Sequence, residues 1–459
     1  MKKLFKVVCI LLVSIIFISC NVGFLIKNAV GKVLEDTSSG GITSRVSVAS
    51  DGSQGNGPSF QTTISGDGRY VAFVSDASNL VDGDTNGKGD IFLHDTQTGE
   101  TTLVSIASDG SQGKDHSHDP AISRDGRYIA FFSGAPHVNS SNYVWGDGNT
   151  FIGDSNGRGD IFLHDSQTGE TTLISVANDG SQGNDDSEKP SISSNGRYIA
   201  FQSDASNLVN GDTNEEMDVF LHDSQTGETT LISVANDGSP GNDWSYDPSI
   251  SGDGRFVAFV SDATNLVNGA KLGGVFLHDT QTGETALVSV ASDGSLSNGS
   301  DGSPSISEDG RYVSFYSDAT TLVDEDTNWE SDIFLRDIFT DKTTLVSVAS
   351  DGSQGNSSSL GSSLSGDGRY VVFESFASNL DSGDTNGERL DVFLHNTQTD
   401  KTTLVSVASD VGQGNSLSDR QSISGDGRYV VFTSLANNLV SGDTNETADV
   451  YIFDCLGSK

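Results

Sequence analysis

Ser65–Ser75 reads SGDGRYVAFVS, and close copies of this phrase return six times along the chain. Aligned on their arginines (Arg69, Arg127, Arg197, Arg255, Arg311, Arg369 and Arg428), they are spaced by 58, 70, 58, 56, 58 and 59 residues. A period near 58 with β-type composition belongs to propeller blades or to a solenoid, not to a helical array. The one long interval comes from an insertion around residues 134–151 of the second unit.

Unit one shows the design. Asp67-Gly68 supplies a tight hairpin turn between a short strand, Thr62–Ser65, and a longer one, Arg69–Ser75. Both faces of the longer strand are largely apolar, as a sheet sandwiched between neighbouring sheets requires. Asp90–Asp95 (DIFLHD) reads as a third strand and Thr101–Ala107 (TTLVSIA) as a fourth, joined by the turn Gln97–Glu100. Four short strands joined by glycine-rich turns make one blade.

The chain ends then decide the topology. The last unit stops after its third strand, Asp449–Asp454, and its missing fourth strand stands at the front as Ser44–Ser50 (SRVSVAS). This predicts an all-β fold over residues 44–459. It is a seven-bladed β-propeller of four-stranded antiparallel blades, closed by the N-terminal strand completing the last blade. A solenoid has no use for such an exchange, because its ends are capped and not joined.

The S-x-D-G-R-Y-V-A-F phrase followed by D-I-F-L-H-D resembles the repeats of TolB-type bacterial propellers. The resemblance covers Ser44 to about Asp454. It implies a propeller that serves as a binding platform, as a substrate gate on a peptidase or, in some members, as a lyase. Seven repeats of longer period set the chain apart from TolB itself, which has six blades.

Composition narrows the partners. With 64 acidic against 25 basic residues the formal charge is −39, and no Lys/Arg cluster exists beyond Met1-Lys2-Lys3. Nucleic acid is excluded, since its binders need a basic patch to displace counterions. Residues 1–20, MKKLFKVVCILLVSIIFISC, read as an export signal, with 21–43 as a linker. Phe17-Ile18-Ser19-Cys20 resembles the bacterial lipobox, which implies lipidation at Cys20 and membrane attachment through the N-terminus. The expected location is then the cell envelope or cell surface. A cleaved signal without lipid and an uncleaved anchor stay open, although the apolar run is short for a span of ~20 residues. Cys455 would be the one thiol left after processing, so disulfides do not hold the fold. A monomer is expected.

Between the second and third strands, unit one reads Asp82-Gly83-Asp84-Thr85-Asn86-Gly87-Lys88-Gly89-Asp90. Hard cations such as calcium take six to eight oxygens, and side chains at loop positions 1, 3 and 5 with a glycine at 6 converge on one point. The Lys88 carbonyl and the Asp90 carboxylate would add to that shell. The pattern resembles the calcium loops of EF-hands and integrin-type propellers, without the EF-hand's distal glutamate. Unit five repeats it with Asp324, Asp326, Asn328 and Asp332, and unit three with Asn210, Asp212, Asn214 and Asp218. Unit four has lost it. The competing reading is a polar turn whose Asp and Asn side chains cap backbone amides.

Trp145, Trp244 and Trp329 all fall in the longer loops, which share one face of a propeller, and Tyr143 and Tyr246 accompany them. His116, His118 and His137 lie on the same face, whereas the other five histidines share one repeat position and read as packed strand residues. Aromatics on a polar face suit a glycan or a protein ligand, or else pack their own loops. The expected function is a non-enzymatic envelope platform that binds protein or glycan, with calcium-stiffened loops. The rival is a metal-dependent lyase or lactonase on the same face, for which His116 and His118 are candidate ligands. No Ser-His-Asp order or G-x-S-x-G elbow is present.

Overall fold

A computed structural model describes residues 41–134, 156–269, 273–409 and 412–457. Over these residues twenty-eight strands form seven four-stranded antiparallel sheets. Six sheets take four consecutive strands. The seventh takes Ser418–Ile423, Tyr429–Ser434 and Asp449–Asp454, and at its outer edge the chain's first strand, Ile42–Arg45. Ile42 lies opposite Asp454 and Arg45 opposite Tyr451. The chain is a closed seven-bladed propeller whose N-terminal strand clasps the last blade.

The clasp is Ile42–Arg45 and not Ser44–Ser50, so it begins inside the stretch assigned to a linker. The same correction applies to blade one, where the fourth strand is Thr101–Leu103 and stops short of Ala107. The chain turns there: the Ile106 amide donates back to the Val104 carbonyl, and that of Ala107 to Ser111. Val104 and Ala107 are buried at this turn, so their apolar alternation marks burial without extension.

The recurring phrase is a clamp. Ser65 Oγ accepts the Tyr70 amide and donates to Asp67 Oδ1, which also accepts the Arg69 amide. Gly68 sits at φ 75°, in the left-handed region. A Cβ there would also lie 2.0 Å from the Tyr429 ring of the preceding blade, so only glycine fits. Arg69 lies over the Tyr70 ring and grips Asp95 with two nitrogens, at 3.0 and 2.7 Å. That pair holds the Asp95 carboxyl down at about 2. It explains why each third strand closes on aspartate. Blade six departs, with Asn396 in place of the aspartate, opposite Tyr370.

Packing runs around the ring. Phe73 and Phe92 stack at 5.9 Å within blade one, and Phe432 and Tyr451 repeat the contact in blade seven. Each apolar core is shared by two blades. Val46, Val431, Val450 and Ile452 of blade seven pack with Ile64, Val71, Phe73 and Phe92 of blade one. Burial at roughly 25 cal/mol per Å² is thus spread over seven equivalent seams, and the last seam depends on the clasp.

Deleting residues 41–50 strips Val46 from that seam and removes the bonds of Thr43 to Val407 and Ser409 and of Ser47 to Asp449. We expect the melting temperature in calorimetry to fall by roughly 10 °C or more, with a broadened transition. An unchanged transition would contradict the clasp.

Candidate functional site

The first strand of each blade lines the axis, and each carries a bulge. In blade one the strand is Ser59–Ile64, longer than the Thr62–Ser65 expected, and its register slips between Phe60 and Thr62. The residue at the slip is left-handed in all seven blades: Gln61, Asp119, Lys189, Asp247, Ser303, Gly361 and Arg420, with φ between 42° and 53°. Six of these are not glycine, and such backbone costs of order 1 kcal/mol each. The bulges present their side chains to the axis, where they line a cavity of about 510 Å³ at the long-loop end of the channel. That volume lies in the range of ligand sites.

Subtracting the repeat exposes what is individual here. The serine at the start of the inner strand and the serine–isoleucine pair near its end recur with little change, because they serve the blade. Ser59 Oγ meets Ser75 Oγ at 2.8 Å, and Ile64 is buried in a seam. Between them the copies read FQT, HDP, EKP, YDP, GSP, LGS and DRQ. Blade geometry does not require that variety. The second and third positions of each triplet line the channel.

The cavity is strongly polar. Asp119 is fully engaged, accepting Gln61 Nε2 at 2.6 Å and His118 Nδ1 at 3.0 Å, with the Lys189 ammonium paired at 3.6 Å. These partners hold its carboxyl low although burial pushes the other way. Asp247 has no hydrogen-bond donor on its carboxylate among the described residues, and burial raises it. Glu374, which accepts the Arg420 amide at 3.1 Å, is likewise raised by burial.

The opposite mouth is shut. Gly66, Arg124, Ser194, Gly252, Glu308, Gly366 and Gly425 form a ring in which each amide donates to the carbonyl of the next, from Gly66 to Arg124 and on to Gly425. The Asp426 amide returns to Gly66 and completes the circle. Only Arg124 and Glu308 carry long side chains, and they meet as an ion pair across the opening. The channel is a blind pocket, open on the long-loop face.

The acidic loops flank that open face. Asp84 and Asp90 of blade one are buried, and Asp82 is exposed and stands outside the cluster. Asn86 Oδ1 accepts the Lys88 amide at 2.8 Å, which is the capping role of a polar turn. An unforeseen partner completes the loop, a glutamine from the following interblade segment. In blade five Gln354 Nε2 donates at 2.9 Å to both Asp326 and Asp332, and its carbonyl accepts the Thr327 amide. Gln54 and Gln413 do the same for blades seven and six. The amide thus occupies the point between two carboxylates at which the spacing placed a cation. Asp324 is exposed, like Asp82, and Asn328 donates to the Gly355 carbonyl.

Blade three differs, because Pro240 stands at the glutamine position. Among the described residues Asp212 Oδ1 is buried without a partner, and Asp218 bonds only Ser233 and Asn214, at 2.5 and 2.8 Å. Burial lifts Asp218 to about 7, against about 6 for Asp90 and Asp332. Asn210 is exposed. Unpartnered carboxylate oxygens also remain on Asp90, Asp326 and Asp384. The chemistry of these donors fits a hard divalent cation, and blade three fits it best, ahead of blades one and five. Among the described residues no three His, Cys, Asp or Glu side chains gather around one point. A cation there would rest largely on amide and backbone oxygens.

The aromatic and histidine candidates do not form one patch. Trp329 is 80 % exposed in its loop, and Trp244 is 54 % exposed with its indole nitrogen on Glu216. Tyr246 and His118 belong to inner strands beside the channel and not to loops. His118 stacks on Phe132 at 4.1 Å, while His116 Nδ1 accepts the Gly89 amide, so the two imidazoles serve different neighbours. His94 and its four counterparts are buried, each bonded to a threonine at 2.9 Å, as packed strand residues. Trp145, Tyr143, His137 and Cys20 lie outside the described residues.

No sequence-family profile matches the chain, and no curated protein matches it either. Solved structures do. Oligogalacturonate lyase in complex with manganese matches with a TM-score of 0.51 and 14 % identity, over 90 % of this chain and 92 % of the lyase. The β-propeller domain of the Trilobed protease from Pyrococcus furiosus matches with a TM-score of 0.50 and 12 % identity, over 87 % and 93 % of the two chains. TolB from Acinetobacter baumannii matches at 0.40 and 13 %, over 80 % of this chain and 76 % of TolB. At these identities the likeness is one of fold, and it agrees with the propeller read from the repeat.

Stability should report on the loops through pH. Asp90, Asp218, Asp332 and Asp391 have raised values, about 6 to 7. The stability they lend is full below the ordinary carboxylate value of 3.8 and is lost as pH rises through 6 to 7. A bound cation favours the ionised form and opposes that loss. In chelator, the melting temperature should therefore fall between pH 5 and 8. At pH 8 millimolar calcium should recover about 1–3 °C, from a Kd of ~10⁻⁴–10⁻³ M. Pro240→Gln, which supplies the missing amide, should shrink the recovery. Superimposable curves with chelator and with calcium would remove cations from these loops.

Proposed function

We propose that this protein is an exported, envelope-attached, non-enzymatic binding platform. Its ligand, a protein segment or a glycan, enters the long-loop mouth of the central channel, and calcium stiffens loops on the same face. The observation that carries the reading is the placement of variety within the repeat. Residues that build a blade recur, while the two positions facing the channel, the left-handed bulge residue and the one after it, change from copy to copy. The left-handed turn recurs in all seven blades, strained in the six where it is not glycine, and there it aims those side chains. The blind end supports a receptor over a conduit, since nothing passes Arg124 and Glu308 without breaking their pair.

Attachment through a lipidated Cys20 and export by residues 1–20 belong to this proposal, and rest on the signal-like sequence alone. An enzymatic reading gains less from the site. A lyase acting on an oligo-anion such as oligogalacturonate would face a channel with more carboxylates than cations.

Pro248 lines the channel and is half-buried, so Pro248→Trp should fill the cavity without touching the outer loops. In a thermal-shift panel of defined glycans, amines and peptides, ligands of the wild-type protein should lose their effect in this variant. A ligand whose binding survives Pro248→Trp and is lost in Trp244→Ala or Trp329→Ala would move the site to the outer loops.

A further inference from the structure

The chemical class of the channel ligand follows from its unmatched charge, an inference that rests on the channel being the binding site. The cavity lining contains Asp119, Asp247 and Glu374 against Lys189 and Arg420. Glu188 and Asp419, each one residue before a bulge and outside the cavity lining, add two carboxylates beside Asp119 and Glu374. Five carboxylates therefore stand against two permanent cations.

Those two cations are already engaged. The Lys189 ammonium lies 3.6 Å from Asp119, whose carboxylate is further satisfied by Gln61 and His118. The Arg420 guanidinium lies over the Phe60 ring at 5.7 Å, a cation–π arrangement. What remains is a set of carboxylates short of donors. Among the described residues no hydrogen-bond donor reaches the side chains of Asp247, Glu188 or Asp419, and all three lie half-buried. Burial raises each of them, although Lys189 beside Asp247 and Glu188, and Arg420 beside Asp419, pull the other way. Half-buried carboxylates in a cavity of ligand size are satisfied by a ligand that brings its own N–H donors and positive charge.

We infer that the channel receives an alkylammonium group, with Asp247 as its main anchor and Glu188 and Asp419 guiding entry. Two sources share that chemistry, a free polyamine and a lysine side chain on a partner peptide. The slim methylene stem suits a channel whose wall alternates prolines (Pro120, Pro190, Pro248 and Pro304) with charged bulge residues. Lys189 shows the mode in miniature, since its own ammonium enters the channel to meet Asp119. The net charge of −39 adds long-range attraction for cations, and the experiment must separate that from the site.

The test is calorimetric titration of the full chain with spermidine, with acetyl-tetralysine amide and with trigalacturonate, at 50 and 300 mM salt. Spermidine or tetralysine should bind the wild-type protein with about one-to-one stoichiometry, and the tighter of the two identifies the source. Asp247→Asn keeps a residue that tolerates left-handed backbone and should weaken amine binding at least tenfold. Lys189→Gln removes the internal competitor and should tighten it. Asp243→Asn, an exposed acid outside the channel, should leave it unchanged. Equal affinity in wild type, Asp247→Asn and Asp243→Asn would reduce the effect to surface attraction and overturn the inference. Trigalacturonate binding that Pro248→Trp abolishes, with no amine binding, would also overturn it while keeping the channel as the site. Amine binding that survives Pro248→Trp would overturn the channel reading itself.

Discussion

Seven inner strands crowd one axis, and everything else in the molecule accommodates that crowding. The tightest level is the circle of backbone hydrogen bonds running from Gly66 through Arg124, Ser194, Gly252, Glu308 and Gly366 to Gly425. A Cβ on Gly66 would lie 2.4 Å from Arg124 Cγ, and one on Gly366 would lie 2.6 Å from Glu308 Cδ. The ring has room for two long side chains only, and they are of opposite charge and paired. From this level the blades splay outward, so the channel widens toward the long-loop face. There the bulges turn side chains inward that an even strand would direct into the seams.

The blade itself was legible in the sequence, because its interactions are local and repeated. Ser65, Asp67, Gly68, Arg69 and Asp95 form one clamp, and six of seven copies carry the same Arg–Asp pair. The missing last strand and its relocation to the front were equally readable. Its register was not, because Val46 and Ser47 are as buried in a turn as they would be in a strand. Burial pattern alone does not separate the two cases.

The site was less legible, for two physical reasons. A left-handed lysine or arginine such as Lys189 or Arg420 leaves no mark in hydropathy, so the bulge triplets resembled loop and escaped notice beside the tryptophans. The acidic loops conceal a distant partner. Asp84, Asn86 and Asp90 fit the spacing of a calcium loop, yet Gln112 lies more than twenty residues downstream and bonds Asp84 and Thr85. The cue existed, since glutamine recurs at one interblade position in five units and is replaced by Pro240 after blade three and Leu296 after blade four. It becomes readable only when two segments of the repeat are compared together.

The central claim is that the individuality of this propeller lies in the channel. The most direct measurement is a crystal structure of the full chain grown with spermidine. The account predicts an ammonium nitrogen within hydrogen-bond distance of the Asp247 carboxylate, with the amine stem along the proline-lined wall and the Arg124–Glu308 pair intact below it. An ordered amine bound only at the outer loops, with Asp247 facing water in an empty channel, would contradict it.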